Sequence, residues 1–390
     1  MRIGMVAGET SGDLLAASVL DGLQARLGGG DGLQASGIGG PAMGARGFDA
    51  WWPSEQLAVR GYAEVIREYP RLRSIRHRLR ERMAEWRPDV FVGVDAPDFN
   101  LDLERRLRES GIRVAHFIGP SIWAWRGERI ETIRRSVDRM LLVFPFEQKL
   151  YDDAGVPATY VGHPLADAIP LQADPAGARR ALGLPPASQV VAVLPGSRAG
   201  EITYIGPVFV QTIAWLARQR PELVFVVPAA TERLYGRLRL MFAQAGLPEG
   251  TDCRLVMGRS HDAIAAADAV LVASGTATLE VALFRKPMVI AYRMAWLSYR
   301  IMRRMGYLPW IGLPNILCHD SVVPEFVQDA ATPEAMGAAV LAQLDDPAHA
   351  ARLAERFAEL HTLLRRDCAQ RAAEALLSMR PVGGTGGGTR

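Results

Sequence analysis

Short apolar runs alternate with helical patterns along this chain, and this alternation limits what it can fold into. Strands are predicted at 3–7, 33–38, 90–94, 114–118, 140–144 and 159–161, and then at 190–194, 223–227, 254–257, 269–273 and 288–291. Patterns of helical period, such as 14–27, separate successive strands, and such a connection between parallel strands is right-handed. We therefore predict an α/β fold of two doubly wound, Rossmann-like domains.

A change in composition marks the boundary between the two series of strands. The chain has 390 residues, more than one hydrophobic core usually fills. A stretch rich in Pro, Ala and Asp follows the first series and ends near Pro186. We assign 1–165 to a first domain and 186–332 to a second, with 333–380 as C-terminal helices packing across the domains. The glycine-rich tail 381–390 is predicted to be disordered.

Charge and cysteine usage exclude several function classes. The formal net charge is +3, and only two of the 45 basic residues are lysines. This skew indicates codon bias rather than a nucleic-acid partner, because no aromatic-basic recognition motif accompanies it. Three cysteines without a CxxC spacing favour neither a disulfide framework nor a zinc site, and they fit a reducing cytoplasm. No run approaches the roughly 18 apolar residues of a spanning helix, so we expect a soluble or peripheral protein.

Two turns between a strand and a helix suit a phosphate group. One is Gly196-Ser197-Arg198, after the strand 190–194, and the other is Ser274-Gly275-Thr276, after the strand 269–273. Small residues let the backbone approach a ligand, and the following helix offers N–H groups and the positive end of its dipole. Arg198 adds a charge that does not titrate away. Neither turn continues into Gly-Lys-Ser/Thr, so a nucleotide-sugar is favoured over ATP hydrolysis.

The strand 90–94 delivers carboxylates to the edge of the sheet where open α/β folds bind ligands. Asp95 stands at the strand tip, and Pro97 stops the strand before Asp98 and Asn100. A carboxylate in such a crevice can deprotonate a hydroxyl group. Asp95 is favoured for this role, whereas for Asp98 and Asn100 capping of the following helix is equally open.

Taken together, the motifs resemble those of the lipid-A-disaccharide synthase family, bacterial glycosyltransferases that join two acylated glucosamine units. The resemblance runs from Val6 to about Met379. Its motifs are Ala7-Gly8-Glu9-Thr10-Ser11-Gly12-Asp13, Gly39-Gly40-Pro41, Asp95-Ala96-Pro97-Asp98-Phe99-Asn100, Pro120-Ser121-Ile122-Trp123-Ala124-Trp125-Arg126, Gly196-Ser197-Arg198, the stretch 274–280 and Leu313-Pro314-Asn315. So many rare strings in one order are more specific than a single glycine-rich loop.

The resemblance implies the B-type glycosyltransferase architecture, in which two Rossmann-like domains face each other and the second holds most of the sugar donor. It implies UDP-2,3-diacylglucosamine as donor and 2,3-diacylglucosamine 1-phosphate as acceptor, which give a β(1→6) disaccharide and UDP. Its catalytic residues correspond to Asp95, as general base, and Arg198, at the donor diphosphate. Its UDP-sugar site corresponds to Gly196, Ser197, Arg198, Ser274, Gly275, Thr276, Glu280 and Asn315, with Glu280 on the ribose.

The turn Glu9-Thr10-Ser11-Gly12-Asp13 has the shape of a phosphate loop but carries two acidic residues. Glu9 and Asp13 would repel a diphosphate, so we expect Glu9 and Ser11, together with Asp98, to recognise hydroxyl groups of the acceptor in the first domain. Helix capping by Ser11 or Asp13 is the alternative.

The implied reaction needs a base for the acceptor 6-hydroxyl and a positive charge for the departing UDP. No Asp-x-Asp stands beside the donor turns. Arg198 and a helix N-terminus would then take the place of a metal ion. We therefore predict neither a metal site nor a cofactor.

Two other functions fit the same architecture. UDP-N-acetylglucosamine 2-epimerases also have two such domains and a UDP site, and a non-catalytic lipid- or nucleotide-binding module would leave Asp95 without a role. The acceptor-side motifs and two amphipathic segments favour the transferase. Segment 292–305 has the composition of an interfacial helix, and 65–87 is a second candidate. For both segments, burial of the apolar stripe against the segment's own domain is the alternative. We expect a cytoplasmic protein bound peripherally to the inner membrane, with C-terminal helices suited to a homodimer.

Overall fold

The computed structural model describes residues 1–8, 10–28, 32–57, 62–296, 299–300, 302 and 306–380. Contacts divide the chain into two compact units. The first comprises Met1–Asp167 and the C-terminal stretch from Leu364, and the second comprises Ala168–Leu363. The tail 381–390, predicted to be disordered, lies outside the described residues.

Strands and helices alternate in chain order. The strands are β1 (Arg2–Ala7), β2 (Gln34–Gly39), β3 (Asp49–Pro53), β4 (Val90–Val94), β5 (Arg113–Phe117), β6 (Arg139–Leu142), β7 (Ala158–Tyr160), β8 (Val190–Leu194), β9 (Val224–Ala229), β10 (Asp252–Met257), β11 (Ala269–Ala273), β12 (Met288–Tyr292) and β13 (Glu325–Val327). The α-helices are α1 (Thr10–Leu27), α2 (Pro41–Gly44), α3 (Tyr62–Trp86), α4 (Pro97–Glu109), α5 (Arg129–Ser136), α6 (Glu147–Asp153), α7 (Pro164–Ala168), α8 (Pro175–Ala181), α9 (Ala199–Gln219), α10 (Glu232–Ala245), α11 (Ser260–Ala266), α12 (Thr276–Leu283), α13 (Leu313–Cys318), α14 (Pro333–Asp345), α15 (Pro347–Leu364) and α16 (Cys368–Leu377).

The first unit is built on a seven-stranded sheet in the order β3-β2-β1-β4-β5-β6-β7, with every pair parallel. All five residues of β4 are buried, as expected for a parallel strand covered on both faces by helices. Because β1 pairs with β2 on one side and with β4 on the other, the strand order reverses between β1 and β4. This is the point where doubly wound sheets open a crevice at the carboxyl ends of their strands.

The second unit repeats this plan with six parallel strands in the order β10-β9-β8-β11-β12-β13. The reversal lies between β8 and β11, whose residues are all buried. The core of this unit includes Val191, Phe209, Phe225 and Leu271. The predicted α/β class with two doubly wound sheets is confirmed.

The structure contains two short strands and one break between helices that were not predicted. The edge strands β3 and β13 were not predicted, because β3 is half-exposed and β13 has only three residues. Within the C-terminal helices predicted over 333–380, the helical pattern of 348–379 is interrupted after α15, where Asp367 adopts a left-handed φ of 58° before α16. The C-terminal helices are shared between the units, since α14 packs on α9 in the second and α16 packs on α1 in the first.

Gly93 in β4 has no room for a side chain, and we predict that Gly93→Ala destabilises the protein. An added Cβ atom would overlap the Glu104 carboxylate and would lie 3.0 Å from the Cβ atom of Asn100, both of them buried on α4. Overpacking of this kind costs about 1–3 kcal/mol of unfolding free energy. Urea denaturation followed by circular dichroism measures it.

Gly44→Ala is the matched control in the same unit. Gly44 is exposed at the end of α2, and a Cβ atom there meets nothing within 4 Å. Its effect should stay within about 0.5 kcal/mol. Equal denaturation midpoints for the two variants would contradict the account of Gly93.

Candidate functional site

The carboxyl ends of β1 and β4 bring two of the predicted motifs together. Ala7, the last residue of β1, pairs with Val94, the last residue of β4. A Cβ atom added to Gly8 would lie 3.1 Å from the Cβ atom of Ala96. Ser11 is exposed in the first turn of α1, so its turn and the Asp95 turn line the same crevice. Glu9 lies outside the described residues.

Asp95 is held in an unusual backbone conformation at the strand tip. Its φ is 50° and that of Ala96 is 44°, a left-handed pair of non-glycine residues. The Asp95 N–H donates to the carbonyl of Phe117 at 2.9 Å, and Asn100 Nδ2 donates to the carbonyl of Asp95 at 2.8 Å. The Asp95 residue is exposed. Such conformations persist only where the surroundings enforce them, and they concentrate at functional sites.

Asp98 and Asn100, for which helix capping was an open alternative, differ in their surroundings. The N-cap of α4 is Ala96, and no side chain caps it among the described residues. Asp98 Oδ1 accepts from Arg129 Nη2 at 2.6 Å, yet the Asp98 side chain is 84% exposed. Asn100 is fully buried. Asp98 is therefore accessible to a ligand, whereas Asn100 fixes the Asp95 backbone.

Asp13 does act as a cap, but for a different helix. Its Oδ1 atom accepts from the N–H groups of Gly40 at 2.9 Å and Met43 at 3.1 Å, and its Oδ2 atom accepts from Ala42 at 2.8 Å. These donors lie at the start of α2, and Asp13 is buried. The capping alternative thus holds for Asp13.

A buried charged pair that the sequence did not reveal lies beneath Asp95. His116 on β5 has its Nδ1 atom 2.6 Å from Glu104 Oε1, and both side chains are fully buried. Burial alone lowers the pKa of His116, but the Glu104 carboxylate outweighs it and the net effect raises that pKa, with Asp95 adding in the same direction. Pairing of a helix residue with a strand residue depends on tertiary packing, so no local pattern could have identified it.

The two tryptophans of the motif at 120–126 have different environments. Trp123 packs edge-on against Phe146 at 5.3 Å, and its Nε1 atom donates to Glu147 at 3.2 Å. Burial raises the pKa of Glu147 to about 7. Trp125 instead carries the guanidinium group of Arg126, 4.6 Å from its ring centroid. Trp123 is thus half-buried in an aromatic cluster, and Trp125 belongs to a polar cluster.

In the second unit, both predicted phosphate turns lie at the reversal of strand order. Leu194 at the end of β8 pairs with Val272 of β11, so the turn 195–198 stands beside the turn 274–276. Ser274 N–H donates to the carbonyl of Ala291 at 2.9 Å, and Ser274 Oγ donates to that of Ile311 at 2.9 Å. The structure therefore brings together Gly196, Ser197, Arg198, Ser274, Gly275 and Thr276.

The two helix N-termini at this reversal are not equivalent. In the first turn, Glu201 Oε2 accepts from the N–H groups of Ser197 at 3.0 Å and Arg198 at 3.1 Å. These groups were expected to be open to a phosphate, but the Glu201 carboxylate already occupies them. At the N-terminus of α12, Thr278 Oγ1 donates to the carbonyl of Gly275 at 2.8 Å, but no side chain of the described residues accepts from the N–H groups of Gly275 and Thr276. The Arg198 side chain is 70% exposed. The backbone N–H groups at this reversal that are not already bound by a side chain of the described residues therefore lie mainly at α12.

Two further residues of the predicted donor site hold polar partners within the unit. Glu280 on α12 lies 3.2 Å from His261 Nε2 on α11. Asn315 is fully buried, and its Nδ2 atom donates to the carbonyl of Val323 at 2.9 Å and to Glu325 Oε1 at 2.8 Å. Glu280 is partly accessible to a ligand. Asn315 is not, and its hydrogen bonds hold the loop around it.

Tyr292 is a neighbour of this site that the sequence reasoning did not place there. It ends β12, which pairs with β11 through Ala291 and Ala273. Burial raises the pKa of Tyr292, the charge of Glu201 adds to this and that of Arg198 opposes it, so both groups lie close by. The strand register beside β11 is the signal that could have identified Tyr292.

The segment 292–305, predicted to be an interfacial helix, begins as a strand, so the prediction is wrong at its start. Tyr292 belongs to β12, and Arg293 donates hydrogen bonds to two backbone carbonyls of its own unit. Trp296 is 64% exposed, with the Arg300 guanidinium group 4.8 Å from its ring centroid. Outside the described residues lie 297–298, 301 and 303–305.

The second segment, 65–87, corresponds mainly to α3. Ile75, Leu79 and Met83 are buried in the core of the first unit, so most of its apolar stripe packs within that unit. Among the helices described, none is long and apolar enough to cross a bilayer. No group of three or more His, Cys, Asp or Glu side chains in the described part of the chain is arranged to hold a metal ion.

Comparison with known proteins gives one consistent family. Residues 3–377 match the model of the family described as lipid-A-disaccharide synthetase. The chain is similar to a lipid-A-disaccharide synthase of Paraburkholderia phymatum, with 54% identity over 380 residues that cover 97% of this chain and 96% of that protein. Its fold is similar to the glycotransferase of kitacinnamycin, with a TM-score of 0.64, 16% identity and coverage of 97% and 99%.

The same fold occurs in proteins with another activity. A UDP-GlcNAc 2-epimerase from Neisseria meningitidis, solved with UDP-GlcNAc, aligns with a TM-score of 0.59, 11% identity and coverage of 97% and 99%. At this identity the likeness concerns the fold alone. The B-type glycosyltransferase architecture is thereby confirmed, and the choice between activities depends on the family match.

We predict that His261 titrates above its ordinary pKa of about 6.5. The hydrogen bond that His261 Nε2 donates to the Glu280 carboxylate raises the pKa of His261 against the effect of burial, and Asp262 adds a smaller contribution. Because the folded-state pKa is the higher one, the pair stabilises the fold fully below about pH 6.5 and loses this contribution as the pH rises through the folded-state pKa. An NMR titration of the imidazole protons measures it.

Glu280→Gln should lower the pKa of His261, and Asp262→Asn is the matched control with a smaller effect. A pKa of His261 at or below 6.5 in the unaltered protein, or one that Glu280→Gln leaves unchanged, would rule out the pair in solution.

Proposed function

This chain belongs to the lipid-A-disaccharide synthetase family, and on that premise we propose how its two crevices carry out the transfer. It is a glycosyltransferase that joins UDP-2,3-diacylglucosamine to 2,3-diacylglucosamine 1-phosphate, forming the β(1→6) lipid A disaccharide 1-phosphate and UDP. The observation that carries the assignment is the family match over 3–377. A crevice with complementary chemistry in each unit supports it.

The donor occupies the crevice between the ends of β8 and β11. Its diphosphate accepts hydrogen bonds from the N–H groups of Gly275 and Thr276, where no side chain of the described residues caps α12. Arg198 places a permanent positive charge beside the departing UDP, which favours the transition state more than the ground state. Glu280 accepts the ribose hydroxyls. Asn315 contributes by holding the loop around 311–325.

The acceptor occupies the crevice between the ends of β1 and β4. The Asp95 carboxylate takes the proton from the 6-hydroxyl as that oxygen attacks the anomeric carbon of the donor. Ser11 and Asp98, both exposed beside this crevice, hydrogen-bond sugar hydroxyls, and Glu9 is proposed for the same role. Inversion follows because UDP leaves from the face opposite to the attack. The reaction as written needs no cofactor, and metal independence stays a prediction.

The epimerase alternative is not favoured by any contact described above. Its support was the architecture, which the two activities share. The direct experiment is incubation with UDP-2,3-diacylglucosamine, with and without the acylated acceptor. Disaccharide and UDP that form only with acceptor support the transferase. An epimer at C2, or binding without turnover, would refute it in favour of the epimerase or the non-catalytic module.

We predict that substitutions at the two proposed catalytic residues differ in their effect on UDP affinity. Asp95→Asn should lower kcat by about 10²- to 10⁴-fold because a general base is lost, while UDP affinity is retained. Arg198→Ala should weaken UDP binding as well as turnover, because its charge acts on the diphosphate before and during departure. Steady-state kinetics and calorimetry with UDP separate the two effects.

Asp98→Asn and Arg218→Ala are the controls. Asp98 is the other carboxylate beside the crevice, so its variant should affect acceptor KM more than kcat. Arg218 is exposed at the end of α9, far along the helix from Arg198. If Asp95→Asn stays within a factor of about two of the original kcat while Asp98→Asn does not, Asp98 is the base.

The acylated substrates also place the reaction at a membrane. We propose a cytoplasmic protein bound peripherally to the inner membrane, and a homodimer formed by its C-terminal helices, whose state sedimentation can test. The exposed Trp296, with Arg300 on its ring, supplies an amphipathic pair suited to an anionic lipid surface.

Trp296→Ser combined with Arg300→Ser should reduce co-flotation with vesicles that contain anionic lipid, most clearly at low salt. The control is Tyr204→Ser, which removes an exposed aromatic residue on α9. Retained UDP binding shows that the fold survives. Flotation that is unaffected by the double substitution would exclude this pair as the docking surface.

A further inference from the structure

A cluster of two arginines and a tryptophan follows β5, beside the strand that ends in Asp95. The last residues of β4 and β5, Val94 and Phe117, are paired in register. In the loop after β5 the guanidinium group of Arg126 lies 4.6 Å from the ring centroid of Trp125, and that of Arg129 lies 5.8 Å from it. Trp125 thus holds two cations at the same edge of the sheet as the proposed base.

The backbone around this cluster is as constrained as that of Asp95. Ten described residues other than glycine have a positive φ, and four of them lie in the loops after β4 and β5. They are Asp95 at 50°, Ala96 at 44°, Ile118 at 67° and Arg126 at 52°. Each such conformation costs on the order of 1–3 kcal/mol unless its surroundings compensate. Arg126 is therefore held in place, and the constraint extends from the Asp95 turn to the arginine cluster.

The cluster retains most of its capacity to bind an anion. The Arg129 side chain is 19% exposed and makes one hydrogen bond to the described residues, from Nη2 to Asp98. Arg126 forms no ion pair with any residue that the structure describes. A guanidinium group has five N–H donors, so the pair has donors left for several acceptor oxygens. Glu128, next to Arg129 in sequence, is exposed to solvent.

We propose that Arg126 and Arg129, supported by Trp125, bind the 1-phosphate of the acceptor. This rests on the proposed function, which places the donor diphosphate in the other unit, so that a phosphate site beside Asp95 belongs to the acceptor. A phosphomonoester matches two guanidinium forks in charge and geometry. Asp98 ties Arg129 to the first turn of α4, directly after Asp95, so the proposed base and the proposed phosphate site lie at the same edge of the sheet.

The test compares acceptors with and without the phosphate. The unaltered protein and Arg126→Gln/Arg129→Gln are assayed with 2,3-diacylglucosamine 1-phosphate and with the methyl glycoside of 2,3-diacylglucosamine. Loss of the phosphate should lower kcat/KM of the unaltered protein on the order of 10- to 100-fold, the size expected for hydrogen bonds to a charged group. The double variant should show a similar loss with the phosphate acceptor, and little further loss without the phosphate. UDP affinity should not change.

Arg134→Gln/Arg135→Gln is the matched control. Both residues are exposed on the same helix, α5, and both pair with Glu131. This control should retain full discrimination between the acceptors. The phosphate site would be overturned if the Arg126→Gln/Arg129→Gln variant lost kcat/KM equally with both acceptors. It would also be overturned if the unaltered protein had the same kcat/KM with and without the acceptor phosphate.

A binding measurement separates this proposal from the proposed function. Glucosamine 1-phosphate and glucosamine are titrated into both proteins, and binding is followed by calorimetry. Tighter binding of the phosphate compound by the unaltered protein, abolished in the double variant, supports the site even if no disaccharide forms. Failure to form disaccharide would then refute the transferase alone, and equal binding of both compounds would refute the phosphate site.

Discussion

Both crevices depend on one constraint, the parallel pairing of β1 with β4 and of β8 with β11. In each sheet the strand order reverses at this pair, so the loops that follow the two strands diverge and leave a crevice at their carboxyl ends. The register joins Ala7 to Val94 in one unit and Leu194 to Val272 in the other. Residues that are distant in sequence therefore meet at two places, and each proposed catalytic residue lies in the turn that directly follows a fully buried strand.

The two crevices reach their functions by different physical means. In the first unit, Asp95 is exposed on left-handed backbone, and the buried side chain of Asn100 donates a hydrogen bond to its carbonyl. In the second unit, the proposed contributions are a helix N-terminus and the exposed charge of the Arg198 side chain. Glu201 caps the N-terminus of α9, so the backbone N–H donors proposed for the diphosphate are those of α12. Arg198 is then proposed to contribute through its positive charge.

The sequence predicted the central strands well because their physical signal is local. The strands 90–94, 190–194 and 269–273 agree residue for residue with β4, β8 and β11, since a strand covered on both faces is an uninterrupted apolar run. Two of the four edge strands, β3 and β13, were missed because they lack that burial. The motifs that follow the central strands were located correctly along the chain for the same reason.

What the sequence could not supply are partnerships made by packing. Glu201 on the first phosphate turn, Glu104 against His116, and Asp13 on the next helix each require contacts between elements whose approach no local pattern encodes. Tyr292 was assigned to a lipid-facing segment on composition, although its strand register places it beside the donor turns. The composition of a segment indicates which surfaces it can contact, but the order and register of the strands determine which contacts it makes.

A crystal structure of the protein with UDP tests the central claim, that the reversal between β8 and β11 binds the donor. The expected result has the diphosphate at the N–H groups of Gly275 and Thr276 with the Arg198 guanidinium beside it, and the ribose hydroxyls on Glu280. A diphosphate seated instead at the Ser11 turn, in the crevice of Asp95, would contradict it, because the roles of the two units would then be exchanged.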